Sequence, residues 1–291
     1  MDHLTLGVFS PSVLLDVARS TGRLAAVDLE VTDRPVPSSP AQFAALRDGE
    51  YDAVFTSPDN VLAYRFLPAN PLGELLDVEI VAGLDRGLGL CLAARPGASD
   101  VDELAGGRLG VDVPNSGFAF VAYALLEAQG SAREEFEIVA LGSTPKRARA
   151  LHTGGCDVTV LNAGNELAAQ ADGCVLLADV AQLGPYLGTV MARMRQAPGA
   201  AAVLRLAAAL TDTAGAIVSG ELTAQATESA ARLLGLADPS AHVAVLCDPL
   251  RGLIADGGVD PAAVATLVDL RRRFLPMPEL DDIAEAYSFS T

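Results

Sequence analysis

The 291-residue sequence contains a single lysine, Lys146, and far more acidic than basic side chains. With 20 Lys and Arg against 37 Asp and Glu, its formal net charge is −17 at pH 7. Binding to nucleic acid needs clustered cations against phosphate, and an anionic membrane surface repels an acidic chain. The charge therefore argues against a nucleic-acid partner and favours an acidic, solvated exterior.

Signals for export and membrane insertion are also missing. No Lys or Arg precedes Arg19, and Asp16 interrupts the apolar part of the N-terminal segment, unlike a signal peptide or a lipid-attachment segment. No uncharged apolar run approaches the roughly 18 residues that span a membrane. As written, the sequence predicts a cytoplasmic protein without membrane insertion, or an extracytoplasmic one if an export signal was trimmed.

Metal and redox motifs are absent from the sequence as well. Cys91, Cys156, Cys174 and Cys247 stand far apart without CxxC spacing, which predicts buried free thiols. The three histidines fall into no cluster with carboxylates or cysteines, and no nucleophilic triad can be assembled. We therefore predict no metal and no cofactor, and the sequence leaves any catalytic residue unknown.

What the sequence does contain is an internal repeat. The segment ALRDGEYDAVFTSPDNVLA, residues 45–63, returns without a gap as ALHTGGCDVTVLNAGNELA, residues 150–168. In each copy a Ser-Pro or Thr-Pro pair precedes a helical segment, so Ser39 and Thr144 are predicted N-caps. Gly49 and Gly154 suit the left-handed residue that ends this helix. A short apolar strand and a polar turn into a second helix follow.

The segments around the repeat predict an α/β fold. Segments 4–12 and 108–117 each indicate a strand that runs into a helix, and further strand-like runs lie at 26–31 and 136–141. Each half thus alternates strands with helices, which indicates a mostly parallel sheet flanked by helices. Two extended crossings, at 78–97 and 184–195, suggest that one lobe is inserted into the other. We predict lobe one at 1–88 plus 196–291, completed by C-terminal helices, and lobe two at 89–195.

Polar turns follow four of the predicted strands. Ligands bind open parallel sheets beyond the carboxyl ends of strands, where helix N-termini gather, so two facing lobes would place all four turns around one cleft. Aromatic residues next to the turns could sandwich a planar ring. The predicted ligand contacts are Ser10, Ser12, Thr56, Ser57, Asp59, Asn60, Asn115, Ser116, Phe118, Asn162, Asn165 and Tyr186.

Four stretches carry a resemblance to a known family: GEYDAVFTSPDNVLAY, VAGLDRGLGLCLAARPG, DELAGGRLGVDVPNSGFAF and LGPYLGTVMARMR. The sequence resembles type II periplasmic binding proteins, in the branch with alkanesulfonate- and nitrate-binding receptors and thiamine-pyrimidine-synthase-like proteins. The resemblance covers roughly residues 4–195. It implies two lobes that close on a small molecule, which such proteins usually pass to an ABC permease. The cysteine-rich cluster and active-site histidine of the pyrimidine synthases are not found.

The composition of the turns narrows the predicted ligand. They contain no Arg or Lys, so we expect a neutral or weakly charged, partly aromatic molecule. Asp59 could accept a hydrogen bond from the ligand or could complement the dipole of its helix. Phe9 and Phe55 are interpreted as core residues.

Three functions remain open at this stage. The first is a solute-binding protein, which would have an ABC permease as a partner if it is exported. The second is a cytoplasmic enzyme on the same scaffold, a lyase, dehydratase or decarboxylase in which Asp59 or Asp112 acts as acid or base. The third is a cytoplasmic sensor that closes on a metabolite without chemistry.

Overall fold

A computed structural model describes residues 1–276 of the chain and contains two five-stranded sheets. The first sheet has the order β2-β1-β3-β10-β4. The C-terminal part of the predicted lobe one, residues 277–291, lies outside the described residues. The strands of this sheet are β1 Asp2–Val8, β2 Leu29–Pro35, β3 Ala53–Thr56, β4 Val78–Asp85 and β10 Thr189–Met194.

The second sheet repeats the topology of the first. Its order is β7-β6-β8-β5-β9, so in both sheets the first strand of the unit lies between the second and the third. The matching order is the structural counterpart of the sequence repeat. The strands are β5 Cys91–Ala94, β6 Arg108–Val111, β7 Glu137–Ala140, β8 Val158–Leu161 and β9 Val175–Asp179.

One strand in each sheet is antiparallel to the other four. β1 pairs in parallel with β2 and β3, whereas β10 pairs antiparallel with both β3 and β4. In the second sheet, β6 pairs in parallel with β7 and β8, and β5 pairs antiparallel with β8 and β9. The prediction of two mostly parallel sheets is therefore confirmed, and the reversed strand in each sheet follows a crossing of the chain between them.

Ten α-helices of the described chain flank the sheets. Helix α7 is long and apolar enough to cross a membrane by length and composition alone, but 56% of its most apolar window is buried, as in the core helix of a folded domain. The helices are α1 Val13–Ser20, α2 Ser39–Arg47, α3 Pro58–Phe66, α4 Gly117–Ala128, α5 Thr144–Thr153, α6 Asn165–Ala171, α7 Ala200–Val218, α8 Thr223–Leu234, α9 Pro239–Leu246 and α10 Pro261–Phe274.

The repeated helices begin one residue earlier than the sequence suggested. The N-caps of α2 and α5 are Ser38 and Ser143, and the Ser38 side chain accepts the backbone N–H of Ala41. The predicted caps Ser39 and Thr144 are thus wrong by one position, because each already has helical geometry and forms the first residue of its helix. The helix ends are as predicted, since Gly49 and Gly154 have φ of 75° and 74°.

The two sheets share part of one hydrophobic core. Ile80 of the first sheet and Leu92 of the second belong to one cluster with Phe120 of α4 and Leu267 of α10. Helix α10 contacts both α3 and α4, so it spans the boundary between the two sheets. The strand β10, which falls inside the range predicted for lobe two, is hydrogen-bonded into the first sheet. The lobe boundaries themselves stay a prediction.

Candidate functional site

The loops that follow β1, β3, β6 and β8 surround a cavity with two adjoining compartments. The small compartment, about 40 Å³, is lined by residues from the starts of α2, α3, α4 and α5. The large compartment, about 90 Å³, is lined by the loop after β1, the ends of β3 and β4, the loop after β8, and α9. Phe9, Ser57, Phe118 and Thr144 line both compartments, so the two adjoin.

Most of the predicted contact residues line this cavity. Ser57 and Asn162, which occupy equivalent positions of the two repeats, lie on the wall of the same compartment. The two repeats therefore face each other across the cavity. The predicted residues that line it are Ser10, Ser12, Thr56, Ser57, Asn60, Ser116, Phe118 and Asn162.

The hydroxyl groups around the cavity also begin the surrounding helices. Ser12 Oγ accepts the Leu15 N–H at 3.2 Å, Ser57 Oγ accepts the Asp59 N–H at 3.3 Å, and Ser116 Oγ accepts the Ala119 N–H at 3.0 Å. A hydroxyl can accept at one lone pair and donate at the same time. These side chains can therefore cap helices and still interact with a molecule in the cavity.

The amide side chains near the cavity already have protein partners. Asn60 Nδ2 donates to Thr56 Oγ1 at 3.1 Å. Asn162 Nδ2 donates to the Gly87 carbonyl at 3.3 Å, and Asn162 Oδ1 accepts from the Thr144 hydroxyl at 3.3 Å. Asn162 thus connects the end of β8 to the crossing after β4.

The other predicted contacts lie away from the lining of both compartments. Asp59 is buried in a bidentate ion pair with Arg271 of α10, with N–O distances of 2.6 and 2.9 Å. Asn115 is exposed, and Asn165 Nδ2 donates to the Asn162 carbonyl at 2.9 Å. Tyr186 is buried next to a different, open cavity of about 560 Å³. For Asp59, the partner is a cation 212 residues away, which no local pattern could indicate.

The cavity also contains charged residues that the turn motifs did not indicate. Arg147, in the first turn of α5, is only 1% exposed and lines the small compartment. Its guanidinium donates to the Gly142 and Val160 carbonyls and to Thr144 Oγ1. No carboxylate of the described residues lies within 4.0 Å of it. The sequence signal available for Arg147 was its position three residues after Thr144, which places both residues on the same face of α5.

Two further residues, Asp85 and His242, lie in the large compartment. Asp85, at the end of β4, is 2% exposed, and its Oδ1 accepts the N–H groups of Gly87 at 2.8 Å and Thr189 at 3.1 Å. His242 of α9 is also 2% exposed, and its Nδ1 has no hydrogen-bond partner among the described residues. The only sequence signal for Asp85 was a carboxylate that ends an apolar run.

Burial shifts the pKa values of Asp85, Asp112 and His242. It raises the pKa of Asp85 to about 6, against the opposing effect of the hydrogen bonds from Thr189 and Gly87. Burial also raises the pKa of Asp112, which lines the small compartment, while the charge of Arg147 and the Ser116 hydroxyl lower it. Burial lowers the pKa of His242 to about 4, so this imidazole is neutral at pH 7.

Nothing in the described residues resembles a metal centre. No group of three or more His, Cys, Asp and Glu side chains there could hold a metal ion. The four cysteines are free, with Cys91, Cys156 and Cys174 buried and Cys247 half-buried. The predicted absence of metals and cofactors stays a prediction.

No family model matches this chain, and neither does any curated protein. Among solved structures, the alkanesulfonate-binding protein SsuA from Xanthomonas axonopodis pv. citri, bound to MOPS, superposes with a TM-score of 0.74 at 19% identity, over 98% of this chain and 97% of that one. The periplasmic nitrate-binding protein NrtA from Synechocystis PCC 6803 gives a TM-score of 0.72 at 12% identity, over 94% and 82%.

An enzyme is also among the structural neighbours. The desulfurization enzyme DSZB superposes with a TM-score of 0.66 at 17% identity, over 100% of this chain and 97% of that one. Together these similarities show that the chain has the two-lobed periplasmic-binding-protein-like fold that the sequence resemblance implied. Because receptors and an enzyme share this fold, the fold alone leaves the activity open.

Proposed function

We propose that this protein binds a small, partly aromatic molecule of low net charge in the cavity between its two sheets, as solute-binding proteins do. The observation that carries the proposal is the convergence of four strand-end loops, two from each repeat, on two adjoining compartments. Such a cavity at the carboxyl ends of strands is the preferred ligand site of open α/β sheets.

The aromatic part of the ligand is proposed from two side chains. Phe9 follows β1 of the first sheet, and Phe118 lies in the first turn of α4, next to the second sheet. Both line both compartments and both are half-buried. A planar group between them would bury apolar surface against either repeat.

The low net charge is proposed from the charges in the cavity wall. The expectation of a neutral or weakly charged ligand rested on turns without Arg or Lys, but Arg147 lies in the wall. Its charge is opposed by Asp112 in the same compartment and by Asp85 in the next. A ligand with a high net charge of either sign would leave a buried charge without compensation, which is costly.

Closure around the ligand is proposed from the two crossings. Asp85 Oδ1 accepts an N–H from each crossing, at Gly87 and at Thr189, and so ties them together at the base of the cavity. Gly87 has a φ of 109°, which only glycine adopts readily. A few such residues can absorb the rotation of two lobes.

A membrane permease is the proposed partner if the protein functions outside the cytoplasm. Neighbours of the same fold are described as binding proteins, and one as the ligand-binding component of an ABC-type import system from Staphylococcus aureus. Retention in the cytoplasm, the expectation from the sequence as written, would instead favour a sensor or an enzyme. Cell fractionation of the native organism distinguishes these locations.

The enzyme alternative has its own supporting observation. Asp85, Asp112 and His242 are titratable, line the cavity and have pKa values shifted by burial, an arrangement that is enriched at catalytic sites. One structural neighbour is an enzyme. Incubation of each bound molecule with the protein, followed by mass spectrometry, separates turnover from binding alone.

The test is a thermal-shift screen of metabolites with two matched variants. A ligand at 100 times its dissociation constant should add about 2.7 kcal/mol to the free energy of unfolding. Phe118→Ala should abolish most of this gain, whereas Phe66→Ala, a half-buried phenylalanine of α3 outside the cavity, should retain it. Equal ligand responses in the two variants would contradict a site between Phe9 and Phe118.

A further inference from the structure

The charges of the cavity are divided between its two compartments. Among the residues that the structure describes, Asp85 is the only side chain ionised at pH 7 in the wall of the large compartment, because His242 is neutral there. No Lys, Arg or His nitrogen of the described residues lies within 4.0 Å of the Asp85 carboxylate. Arg86, its neighbour in sequence, donates instead to the Leu253 carbonyl at 2.8 Å. Among the described residues, backbone N–H and hydroxyl groups thus contact the Asp85 carboxylate, and the charge of Arg86 acts on it without a direct ion pair.

A buried carboxylate without a directly paired cation favours a positively charged partner. Removing a carboxylate from water costs several kcal/mol, and neutral hydrogen bonds return only part of this. An ammonium group has three N–H donors, and the compartment wall offers the carboxylate together with the hydroxyls of Ser12, Thr56 and Thr189. The geometry of this end thus suits a protonated amine.

The small compartment has the opposite electrostatic character. It contains the buried Arg147 and residues from the N-terminal turns of α2, α3, α4 and α5. Each helix N-terminus is equivalent to roughly half a positive charge. Asp112, the one carboxylate in this wall, accepts a hydrogen bond from the Ser116 hydroxyl. One guanidinium and four helix ends outweigh one carboxylate, so this end favours an anionic group.

We infer that the ligand is a zwitterion with a planar apolar centre: its anionic group lies in the small compartment near Arg147, its ammonium group lies against Asp85, and its ring lies between Phe9 and Phe118. The inference rests on the proposed function, because it specifies what the same cavity binds. It also explains how a ligand of zero net charge can match a wall that contains buried charges of both signs.

Four probes with one para-substituted benzene skeleton test the inference on the wild-type protein. They are para-(aminomethyl)benzoate, which has both charges, para-methylbenzoate, para-methylbenzylamine and para-methylbenzamide. Calorimetry at neutral pH should show that the zwitterion binds about tenfold or more tightly than either singly charged probe. Equal affinity of the zwitterion and para-methylbenzoate, or no binding of the zwitterion, would overturn the inference.

Two buried carboxyl groups provide the matched variants. Asp85→Asn keeps an oxygen for the Gly87 and Thr189 N–H groups but removes the charge, and should eliminate the advantage of the zwitterion over para-methylbenzoate. Glu166→Gln alters a carboxyl group that is equally buried but lines neither compartment, and should leave that advantage unchanged. Retention of the advantage in Asp85→Asn would contradict the assignment of the amine to Asp85.

The inference can fail while the proposed function stands. In that case a metabolite from the screen binds, its binding depends on Phe118, and it has no amine or does not respond to Asp85→Asn. If no ligand responds to Phe118→Ala, the site itself is wrong. If Asp85→Asn does not fold, the ranking of the four probes on the wild-type protein still decides between the outcomes.

Discussion

Ser12, Ser57 and Ser116 each accept a backbone N–H at the start of a helix and also line the cavity. At the level of single residues, the same hydroxyl therefore has a structural and a potential binding role. This is why a polar turn before a helix is an ambiguous signal in a sequence. The cap is local and can be predicted, whereas the position of the hydroxyl beside a cavity depends on how the two lobes pack.

Asp59 and Arg271 illustrate what a sequence pattern does not contain. Asp59 lies in the first turn of α3, where a carboxylate complements the helix dipole. That position was anticipated, but its ion pair with Arg271, 212 residues away, was not. Gly117 belongs to the same junction, because a Cβ there would lie 2.6 Å from Asp59 Cβ. Close contact between two distant helix starts is set by tertiary packing and has no local signature.

Glu166 gives a prediction about pH at the scale of one side chain. It is 2% exposed, its Oε2 accepts the Gly164 N–H at 2.9 Å, and burial raises its pKa to about 8 from 4.5. Because the folded pKa is above the unfolded one, its contribution to stability is full below pH 4.5 and is lost as the pH rises through 8. The wild-type free energy of unfolding should fall by about 2 kcal/mol between about pH 6.5 and about pH 8.5.

Glu166→Gln should remove most of this fall, as measured by urea denaturation at several pH values. The chosen range lies above the pKa of Asp85, about 6, and that of His242, about 4, so neither group changes its charge much. Glu228→Gln, at an exposed position of α8, is the control and should follow the wild type. If the free energy of unfolding depends on pH in the same way in Glu166→Gln and in the wild type, the Glu166 carboxyl is not the source of the fall.

At the scale of secondary-structure elements, the internal repeat predicted more of the fold than any single motif. It indicated the helix–strand–helix units α2-β3-α3 and α5-β8-α6, and both are present with their glycine helix ends. The helix starts were displaced by one residue, because a Ser-Pro pair allows the proline at either of the first two helical positions. The reversed strands β5 and β10 could not be oriented from sequence, since an extended crossing pairs equally well in either direction.

Helix α10 connects elements that the sheets do not join. Its Phe274 ring stacks on Phe120 of α4 with centroids 6.1 Å apart and meets Tyr123 edge-on at 5.4 Å. Its Arg271 pairs with Asp59 of α3 and lies over the Phe120 ring. The end of α10 therefore packs on helices that begin at opposite walls of the cavity.

Removing the ring from α10 should weaken this packing. Phe274→Ala should lower the free energy of unfolding by about 2 kcal/mol, because a half-buried ring loses apolar burial and two aromatic contacts. Arg272→Ala, at an exposed position in the same turn, should change it by less than about 0.5 kcal/mol. Urea denaturation measures the free energy of unfolding of both variants. Similar losses in the two would contradict a bridging role for this end of α10.

At the scale of the whole molecule, the two sheets lie close enough for Asp59 of α3 and Gly117 of α4 to touch. If the lobes close on the ligand as proposed, binding should shift the population from a more open arrangement toward the compact one. The radius of gyration from small-angle X-ray scattering should decrease when the best ligand of the screen is added at saturation.

The Phe118→Ala variant provides the reference for this scattering experiment. It should show no compaction at the same ligand concentration, because it retains the fold but lacks one wall of the ring site. An unchanged radius of gyration in the saturated wild type would show that the lobes do not close on the ligand.

The presence of a single lysine also has a consequence at the scale of the whole molecule. Lys146 is the one lysine in the sequence, and it lies exposed in the first turn of α5. Its Nζ is 4.0 Å from where a Cβ on Gly142, a residue of the small compartment, would be. Apart from the α-amino group, a succinimidyl ester dye therefore has one place to attach, next to a residue of the small compartment. The single lysine thus allows a fluorescent reporter of ligand binding to be attached at one position without an engineered cysteine.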